Sequence, residues 1–378
     1  MTAPRIALVR ARYNPYGGAE RFVANALAAL QAQGVQLTIV ARSWQEQPGV
    51  RALLIDPFYL GNVWRDWGFA HQVCKALARG GFDLVQSHER LACCDVYRAG
   101  DGVHREWLTQ RNRASGPWKR LSIAANPYHR YVLGAEKRMF QSARLKAVIC
   151  NSEMVKEEIL RDFQVAESKL HVIYSGVDSE RFSPLLRATH RAAFRKQHGI
   201  PPDALVHLLV GSGFERNGVG AFLRAVARLP SGHWGVVVGK DKHRAKFEQL
   251  AARLGVGQRV RFTGGILDTG PAYGAADVFV LPTLYDPFPN AALEAMASGL
   301  PVITSFKSGA AELIADGVNG FRCDALDVPL LARHMAALQD EGARVAAGTA
   351  ARHKVLTLTF EAMSSKLVAL YRRLLSLD

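Results

Sequence analysis

The chain contains 378 residues, is 49% hydrophobic, and has a formal net charge of +15 at pH 7. That length is too great for one ordinary hydrophobic core and predicts two α/β domains. The sequence contains no run of about 18 apolar residues, so we expect no transmembrane helix. The positive charge is unevenly distributed, which favours an anionic partner such as acidic lipid headgroups, a phosphorylated substrate or nucleic acid.

The N-terminus and the cysteines favour a location in the cytoplasm. The N-terminus leads directly into a strand-like run, so we expect no signal peptide before the fold. The five cysteines are odd in number, lack metal-ligand spacing and lie mostly in apolar surroundings, which predicts reduced thiols in the core. They are Cys74, Cys93, Cys94, Cys150 and Cys323.

The first predicted βα unit contains a pair of glycines. A strand over residues 6–9 is followed by Gly17 and Gly18, and a helix is expected from about residue 19 to residue 31. Glycines between a strand and a helix allow backbone N–H groups to approach a phosphate at the helix N-terminus. Ordinary turn chemistry accounts for the same pair, so the local sequence leaves both interpretations open.

Asp101 lies in a Gly-Asp-Gly turn that follows a short predicted strand. Other strands of the same domain are predicted at residues 37–40 and 83–87. Because it follows a strand, Asp101 is expected at the carboxyl edge of the sheet, where open α/β sheets bind ligands. An acidic residue between two glycines also favours a turn by itself, and from the local sequence this structural role is the simpler interpretation.

Residues 98–146, here called the basic segment, contain far more cations than anions, together with aromatic rings. This mixture suits contact with anionic lipid headgroups, and it also suits nucleic acid or a solvated helical insertion. Of the two possible partners, a membrane is favoured. The basic residues are Arg98, Arg105, Arg111, Arg113, Lys119, Arg120, Arg130, Lys137, Arg138, Arg144 and Lys146, the acidic residues are Asp101, Glu106 and Glu136, and the aromatic residues are Trp107, Trp118, Tyr128, Tyr131 and Phe140.

A change of pattern with Gly and Pro at residues 171–184 predicts the crossover into a second domain. That domain repeats the βα rhythm, and cations follow two of its strands. Arg216 follows the first strand, and Lys240 and Lys242 follow the second. Small residues and cations at strand ends suit a diphosphate, and Ile266, after the next strand, is placed to pack on a base.

Two carboxylates flank one strand-to-helix turn in the second domain. Asp286 follows a buried strand at about residues 277–282. Glu294 lies near the start of the next helix, which Asn290 is expected to cap. Because this turn lies at the carboxyl end of a strand, we expect both acidic groups to line a ligand pocket.

Taken together, these stretches resemble a GT-B glycosyltransferase of the large retaining family 4, over essentially the whole chain. The resemblance rests on residues 17–20 (Gly-Gly-Ala-Glu), on residues 172–184 and above all on residues 286–302. Within the family, the chain is similar to the lipopolysaccharide-core glucosyltransferases that add glucose to inner-core heptose.

The resemblance implies an α/β fold of two doubly wound, Rossmann-like domains that face each other across a cleft. The N-terminal, acceptor-binding domain is expected at residues 1–180, with its membrane-facing part at about 103–146. The C-terminal domain, which binds the nucleotide sugar, is expected at 181–358, and a helix at 359–378 crosses back to the N-terminal domain.

The resemblance also implies roles for individual residues. The implied catalytic residues are Asp101, as the base that activates the acceptor, Asp286, which faces the donor sugar, and Arg216, which neutralises the leaving diphosphate. Glu294 is implied to hold the ribose hydroxyls of the donor. The implied donor-binding residues are Gly17, Gly18, Arg216, Lys240, Lys242, Ile266, Asp286, Asn290, Ala291 and Glu294. No metal ligand and no cofactor is implied, since the nucleotide sugar is a substrate.

Two departures from the family pattern bear on the donor. Asp286 stands where the family usually has Glu, which keeps the charge but moves it by one methylene and leaves the choice of sugar open. Asn217 stands where Lys is common, so that one phosphate cation is missing and Lys240 or Lys242 is expected to replace it.

The expected activity is retaining, metal-independent transfer of a hexose, glucose by the resemblance, from a UDP-linked or similar nucleotide sugar. The expected acceptor is a lipopolysaccharide-core or other cell-surface glycan, at the inner face of the membrane. The expected partners are the donor, a glycan or glycolipid acceptor and an anionic membrane surface, without nucleic acid, and the expected location is cytoplasmic and peripheral on the inner membrane. Alternatives are a GT-B epimerase or phosphorylase and an inactive, membrane-docked protein that binds sugar nucleotides.

Overall fold

The structure is a computed structural model that describes residues 3–11, 35–44 and 51–376. It divides into two compact units, the first comprising Met1–Ser175 with Phe360–Asp378 and the second Gly176–Thr359. Sequence analysis put the corresponding boundaries after residues 180 and 358. The helix predicted at about 19–31 lies outside the described residues.

The first unit is built on a parallel sheet of seven strands. They are β1 (Arg5–Val9), β2 (Gln36–Ala41), β3 (Arg51–Leu54), β4 (Leu84–Ser87), β5 (Val96–Arg98), β6 (Ala147–Cys150) and β7 (Leu170–Val172). Their order in the sheet is β3-β2-β1-β4-β5-β6-β7. β4, β5 and β6 are buried at every position, as expected for short apolar strands that helices cover on both faces.

Five described helices belong to the first unit before the crossover. They are α1 (Gly61–Gly80), α2 (His104–Arg113), α3 (Pro117–Ala125), α4 (Pro127–Phe140) and α5 (Glu153–Phe163). Local chemistry sets where some of them begin: Asn126 caps α4 by accepting from the N–H of Tyr128, and Ser152 caps α5 by accepting from that of Val155. Across the described ranges, no helix combines the length and the apolar character needed to span a bilayer.

The second unit repeats this design with six parallel strands. They are β8 (Leu205–Val210), β9 (His233–Val238), β10 (Val260–Gly264), β11 (Val278–Leu281), β12 (Val302–Ser305) and β13 (Gly320–Cys323). Their order is β10-β9-β8-β11-β12-β13. The helices are α6 (Leu185–Gln197), α7 (Val219–Val226), α8 (Arg244–Arg253), α9 (Gly270–Ala275), α10 (Asn290–Ala297), α11 (Val328–Ala337) and α12 (Glu341–Val355).

A buried ionic cluster ties α6 to the sheet of the second unit. The carboxylate of Asp277, just before β11, lies 2.8 Å from a guanidinium nitrogen of Arg195 and 3.0 Å from those of Arg187 and Arg191. It also accepts the backbone N–H of Val206 at 2.9 Å. A buried carboxylate with four donors is satisfied, so this cluster fixes the position of α6 against β8 and β11.

The last helix, α13 (Phe360–Leu375), belongs to the first unit. Its buried face, which includes Met363, Leu367 and Tyr371, packs against residues of β1, β2 and β4. The hydroxyl of Tyr371 donates a hydrogen bond to the side-chain oxygen of Gln86, on β4. The predicted return of the C-terminal helix to the N-terminal domain is therefore confirmed.

The prediction of five reduced cysteines is wrong for one pair. Cys74 on α1 and Cys93 in the turn before β5 form a disulfide, with their Cα atoms 5.7 Å apart. Their side chains meet because α1 packs beside this turn, which cysteine spacing alone does not reveal. The other three cysteines are free and buried, and burial raises the pKa of the Cys94, Cys150 and Cys323 thiols to about 12.

Candidate active site

Asp286 is held between two loops at the carboxyl edge of the second sheet. Its backbone N–H donates to the carbonyl of Lys307, and its own carbonyl accepts from the N–H of Gly309, both at 2.9 Å. Its side chain, 15% exposed, accepts the N–H of Phe288 at 3.3 Å. These hydrogen bonds hold the carboxylate at the carboxyl end of β11, the strand after which the sequence places Asp286.

Arg216 is the cation that the structure places beside Asp286. A guanidinium nitrogen lies 3.7 Å from a carboxylate oxygen of Asp286, and 45% of the Arg216 side chain is exposed. The backbone carbonyl of Arg216 accepts from the N–H of Leu284 at 2.7 Å and from the hydroxyl of Thr283 at 2.9 Å. Thus the loop after β8 and the loop after β11 are joined, and a half-exposed cation faces the site.

Gly218 makes that junction possible. Its φ of +74° lies in the left-handed region, and a Cβ at this position would approach the carbonyl oxygen of Pro282 to 1.9 Å. A larger residue would separate the two loops and move Arg216 away from Asp286.

Glu294 lies in the second turn of α10, where a buried tyrosine contacts it. The hydroxyl of Tyr273, on α9, lies 2.9 Å from a carboxylate oxygen of Glu294 and 3.2 Å from the carbonyl oxygen of Ala291. Tyr273 is only 1% exposed. The sequence analysis missed this residue, whose one signal is an aromatic ring among the small residues of α9.

The start of α10 differs from the prediction that Asn290 caps it. Asn290 is the first helical residue, Pro289 occupies the cap position, and the cap makes no side-chain hydrogen bond. The fixed φ of proline gives Pro289 an extended backbone of φ −72° and ψ 115°, which defines the helix entry without an Asx cap. Asn290 is half-buried at this entry, next to Ala291.

Lys240 and Lys242 occupy the loop after β9, with exposed side chains. Asp241 holds this loop by accepting the N–H groups of Phe214 and His243, both at 2.7 Å. The loop borders a cavity of about 420 Å³. Its lining residues are Gly239, Lys240, Asp241, Lys242, Arg244 and Gly264.

Asn217 and Ile266 take different places near these loops. Asn217 is 2% exposed, and its side-chain amide donates to the carbonyl of Ser212 at 2.8 Å. It therefore closes the loop after β8 rather than presenting a polar group to solvent. Ile266 is half-buried, whereas its neighbour Leu267 is 89% exposed.

In the first unit, Asp101 is exposed in the turn between β5 and α2, at the edge of a pocket of about 270 Å³. Four arginines contribute to this pocket, and sequence analysis singled out none of them. The lining residues are Arg10, Ala11, Arg42, Arg65, Asp66, Phe69, Ala70, Glu89, Arg90, Leu91, Asp101, Tyr128, Tyr131, Val132 and Ala135.

Two glutamates at or near this pocket are held by defined partners. Glu136 is buried and accepts from Arg90 at 2.9 Å and from the backbone N–H of His104 at 2.9 Å. Glu89 accepts the N–H of Ala11 at 2.9 Å. Burial raises the pKa of both glutamates, although the neighbouring cations and N–H groups oppose that change.

A histidine pair lies behind the Asp101 turn. His104 and His129 approach to 3.1 Å between ring nitrogens. Burial and the nearby cations lower the pKa of His104 to about 3, so its ring is neutral at physiological pH. A neutral imidazole can share one proton with its neighbour, which fixes the start of α2 and thereby the turn that carries Asp101.

The basic segment forms α2, α3 and α4. Its aromatic residues have different surroundings: Trp118 is 85% exposed, whereas Phe140 is buried. Tyr128 is half-buried and donates its hydroxyl to Asp66 at 2.8 Å.

Two further expectations concern the diphosphate and metals. Gly17 and Gly18 lie outside the described residues. Within the ranges that the structure describes, no group of three or more His, Cys, Asp or Glu side chains has the arrangement of a metal site.

Two family models match the chain in succession. Residues 16–181 match "Glycosyltransferase Family 4", and residues 190–354 match "Glycosyl transferases group 1". These matches agree with the two parallel-sheet units and with the carboxylates and the arginine at the carboxyl edge of the second sheet. The chain therefore belongs to the GT-B glycosyltransferases of family 4.

Individual relatives add detail. The lipopolysaccharide glucosyltransferase WaaG of Escherichia coli K12 is 27% identical over 317 residues, which cover 82% of this chain and 83% of that protein. A crystal structure of WaaG superposes with a TM-score of 0.83 at 26% identity, covering 97% of this chain and 99% of that one. A D-inositol 3-phosphate glycosyltransferase of Streptomyces avermitilis is 31% identical, covering 75% of this chain and 65% of that protein. The chain is thus a glycosyltransferase related to lipopolysaccharide-core glucosyltransferases.

Proposed function

We propose that this chain is a retaining glucosyltransferase that uses UDP-glucose and glycosylates a lipopolysaccharide-core or similar cell-surface glycan at the inner face of the membrane. The observation that carries the proposal is the junction of Arg216 with Asp286, 3.7 Å apart, in the unit that also holds Glu294 against Tyr273. The similarity to WaaG supports both the sugar and the acceptor.

In this proposal the second unit binds the donor. Glu294, oriented by Tyr273, accepts hydrogen bonds from the ribose hydroxyls, and the rigidly held Asp286 faces the sugar. The half-exposed guanidinium of Arg216 neutralises the diphosphate as its bond to the sugar breaks. Charge stabilisation of this kind contributes about 3 kcal/mol or more for one well-placed donor.

The exposed side chains of Lys240 and Lys242 neutralise the remaining charge of the leaving diphosphate, without a metal ion. Asn217 does not contribute, because its amide is engaged with Ser212. Asn217 is therefore no argument for an inactive protein. It closes the loop after β8, and Arg216, Lys240 and Lys242 still supply positive charge.

The first unit binds the acceptor in the pocket beside Asp101. As a base, Asp101 accepts the proton of the acceptor hydroxyl, and its exposure in a turn leaves room for a glycan. In a retaining reaction, the hydroxyl attacks the face of the sugar from which the diphosphate departs, so the new bond has the anomeric configuration of the donor.

The test is product analysis with the purified full chain. UDP-glucose is incubated with lipopolysaccharide truncated before its first glucose, and the new linkage is assigned by NMR. We expect an α-linked glucose and release of UDP. A β-linked product would contradict retention, and transfer from another nucleotide sugar alone would contradict the donor assignment.

A second incubation contains UDP-glucose without an acceptor. An altered nucleotide sugar in that sample would identify an epimerase. A ligand that binds the folded state raises the apparent stability of the protein. The donor site itself would be contradicted if no nucleotide sugar were transferred or hydrolysed and none raised the thermal midpoint.

A further inference from the structure

The pocket of the first unit that contains Asp101 also contains a second carboxyl group, from Glu89. Glu89 lies in the loop after β4, at the carboxyl edge of the first sheet, and lines the same cavity of about 270 Å³. The proposed function gives this side chain no role. The carboxyl edge of a parallel sheet is nevertheless where open α/β folds bind their ligands.

A tight turn fixes the backbone of Glu89. The hydroxyl of Ser87, the last residue of β4, accepts the N–H of Glu89 at 2.9 Å and donates to its carbonyl oxygen at 2.7 Å. The same carbonyl oxygen accepts the N–H of Leu91 at 2.9 Å. Because the backbone of Glu89 makes all of these hydrogen bonds, its carboxyl group is left to other partners.

One oxygen of this carboxyl group has a partner within the protein. Oε1 of Glu89 accepts the N–H of Ala11 at 2.9 Å, just after β1, the strand beside β4 in the sheet. Among the residues that the structure describes, none donates a hydrogen bond to the second oxygen, Oε2. Ala11 lines the pocket as well. The protein thus holds the carboxyl group at the pocket through one oxygen and leaves the other for a ligand.

The charges that act on Glu89 belong to the same pocket. Burial raises the pKa of Glu89, Arg10 and Arg90 act to lower it, and the negative charge of Asp101 acts to raise it. All three of these charged residues line the pocket, and the two carboxyl groups are close enough to interact electrostatically. A carboxyl group bonds a hydroxyl in either protonation state, as an acceptor when ionised and as a donor when protonated. The raised pKa of Glu89 is therefore compatible with binding a sugar.

Aromatic rings make the lining suitable for a sugar. Phe69, Tyr128 and Tyr131 line the pocket, and the hydroxyl of Tyr128 donates to Asp66 at 2.8 Å, which orients its ring. Pockets for small molecules combine apolar and aromatic walls with a few polar groups that fix the orientation of the ligand. A sugar ring has apolar C–H faces and a rim of hydroxyls, so it matches rings together with carboxyl groups.

We propose that Glu89 is an acceptor-binding residue, whose carboxyl group hydrogen-bonds a second hydroxyl of the sugar that reacts at Asp101. The inference rests on the proposed function, because it takes the pocket beside Asp101 as the acceptor site. The two carboxyl groups then have different roles. Asp101 takes the proton of the reacting hydroxyl, and Glu89 determines which hydroxyl of the sugar reaches Asp101.

The first experiment measures acceptor binding to the full chain without donor, by isothermal titration calorimetry. The probe is the oligosaccharide of a lipopolysaccharide core truncated before its first glucose. For Glu89→Ala, we expect the dissociation constant to rise about 10- to 100-fold, as for the loss of a hydrogen bond to a charged group. Glu89→Gln keeps an acceptor for the N–H of Ala11 and a polar group for the sugar, so its rise should be smaller.

The matched control is Glu167→Ala. This substitution removes another carboxylate of the first unit, which pairs with Lys156 at 2.8 Å and is 70% exposed. Glu167 is not among the residues that line the pocket. The control should therefore leave the dissociation constant of the oligosaccharide unchanged.

Steady-state kinetics separate sugar binding from support of a loop. A binding role raises the acceptor KM of Glu89→Ala by a factor similar to that of the dissociation constant, with little change in the donor KM or in kcat at saturating acceptor. A purely structural role would act through Ala11, on the segment that leads from β1 toward Gly17 and Gly18. Since those glycines are expected to bind the diphosphate, that role would raise the donor KM and lower the thermal midpoint.

Monodeoxy analogues of the terminal sugar identify the bonded hydroxyl. For the unsubstituted chain, removal of that hydroxyl should raise the acceptor KM about tenfold or more. Glu89→Ala should lose little further with the same analogue, because the hydrogen bond is already absent. Analogues that lack other hydroxyls should affect both proteins alike.

The inference is overturned if Glu89→Ala binds the oligosaccharide and transfers glucose with unchanged constants, a result that leaves the proposed function standing. It is also overturned if every analogue affects the two proteins alike, or if the donor KM and the thermal midpoint change while the acceptor KM does not. Acceptor binding that depends on Glu89, in a chain that transfers no sugar, would support the inference and contradict the proposed function. An unsubstituted chain that does not bind the oligosaccharide would contradict both.

Discussion

The two units carry their candidate functional groups in different ways. In the second unit, Asp286 and Glu294 belong to one strand–loop–helix passage, and Arg216 joins them through a neighbouring loop. In the first unit, the pocket beside Asp101 takes its charged groups from separate elements along the first 101 residues. A site formed by one continuous segment can be recognised as a pattern in the sequence, whereas a site formed by residues far apart in the chain can hardly be recognised.

The buried carboxylates of the two units differ as well. In the first unit, burial raises the pKa of Glu89 and Glu136. In the second unit, burial also acts to raise the pKa of Asp277, but the N–H of Val206 and the arginines around it hold it below its ordinary value. Lowering the pH therefore destabilises the second unit, because Asp277 loses its charge. Protonation of Glu89 and Glu136 instead removes the cost of burying a charge in the first unit.

The sharpest test of the donor side is Glu294→Ala. Removing two hydrogen bonds from a charged acceptor, at about 1.5–3 kcal/mol each, should lower kcat/KM on the order of a thousandfold. Steady-state kinetics with varied donor measures this loss. Glu341→Ala removes an exposed glutamate from the first turn of α12 and serves as the control. Near-normal turnover of the Glu294 variant would show that the second unit binds its donor elsewhere.

The largest expected effect on stability follows Asp277→Ala. Breaking a buried ion pair by removing one partner costs about 3–5 kcal/mol, because Arg195 stays buried without its carboxylate. Chemical denaturation measures this free energy of unfolding. Asp268→Ala, which removes the exposed partner of Arg181, should cost about 1 kcal/mol or less.

The pH dependence checks the same cluster. Because the folded pKa of Asp277 is depressed, its stabilisation is present at neutral pH and is lost as pH falls through the folded value, below about 4. The Asp277 variant should therefore lose less stability than the unsubstituted chain between pH 7 and pH 3. Parallel stability curves would show that the carboxylate is not held in its charged form.

These contrasts explain how far sequence reasoning reaches in this chain. The GT-B class, the alternating strands and the return of the last helix follow from hydrophobic runs, turn residues and family motifs along the chain. The Tyr273–Glu294 contact and the Cys74–Cys93 disulfide depend on which elements meet in space. Local propensity does not encode such meetings, since a tyrosine among small residues or a cysteine on a helix has many possible neighbours.

On the acceptor side, Asp101→Asn should lower kcat about a hundredfold, within the usual range for loss of general base catalysis. The donor KM should stay unchanged, because Asp101 is assigned to the acceptor hydroxyl and not to donor binding. Single-turnover kinetics with saturating donor separates the two effects. A loss confined to donor affinity would move Asp101 out of the base role, and Asp101→Glu provides a variant that keeps the carboxylate.

The smallest effect is expected for Tyr273→Phe, which removes one hydroxyl from a buried ring. The hydroxyl lies 2.9 Å from Glu294, so its loss should free the carboxylate to rotate and raise the donor KM about tenfold. We expect little change in kcat at saturating donor, since the proposed catalytic contacts of the donor are made by Asp286 and Arg216 rather than by Tyr273. Tyr285→Phe, at a buried tyrosine of the neighbouring loop, serves as the control for loss of a buried hydroxyl. Equal losses in both variants, or a lower kcat with an unchanged donor KM, would mean that Tyr273 packs the core rather than positioning Glu294.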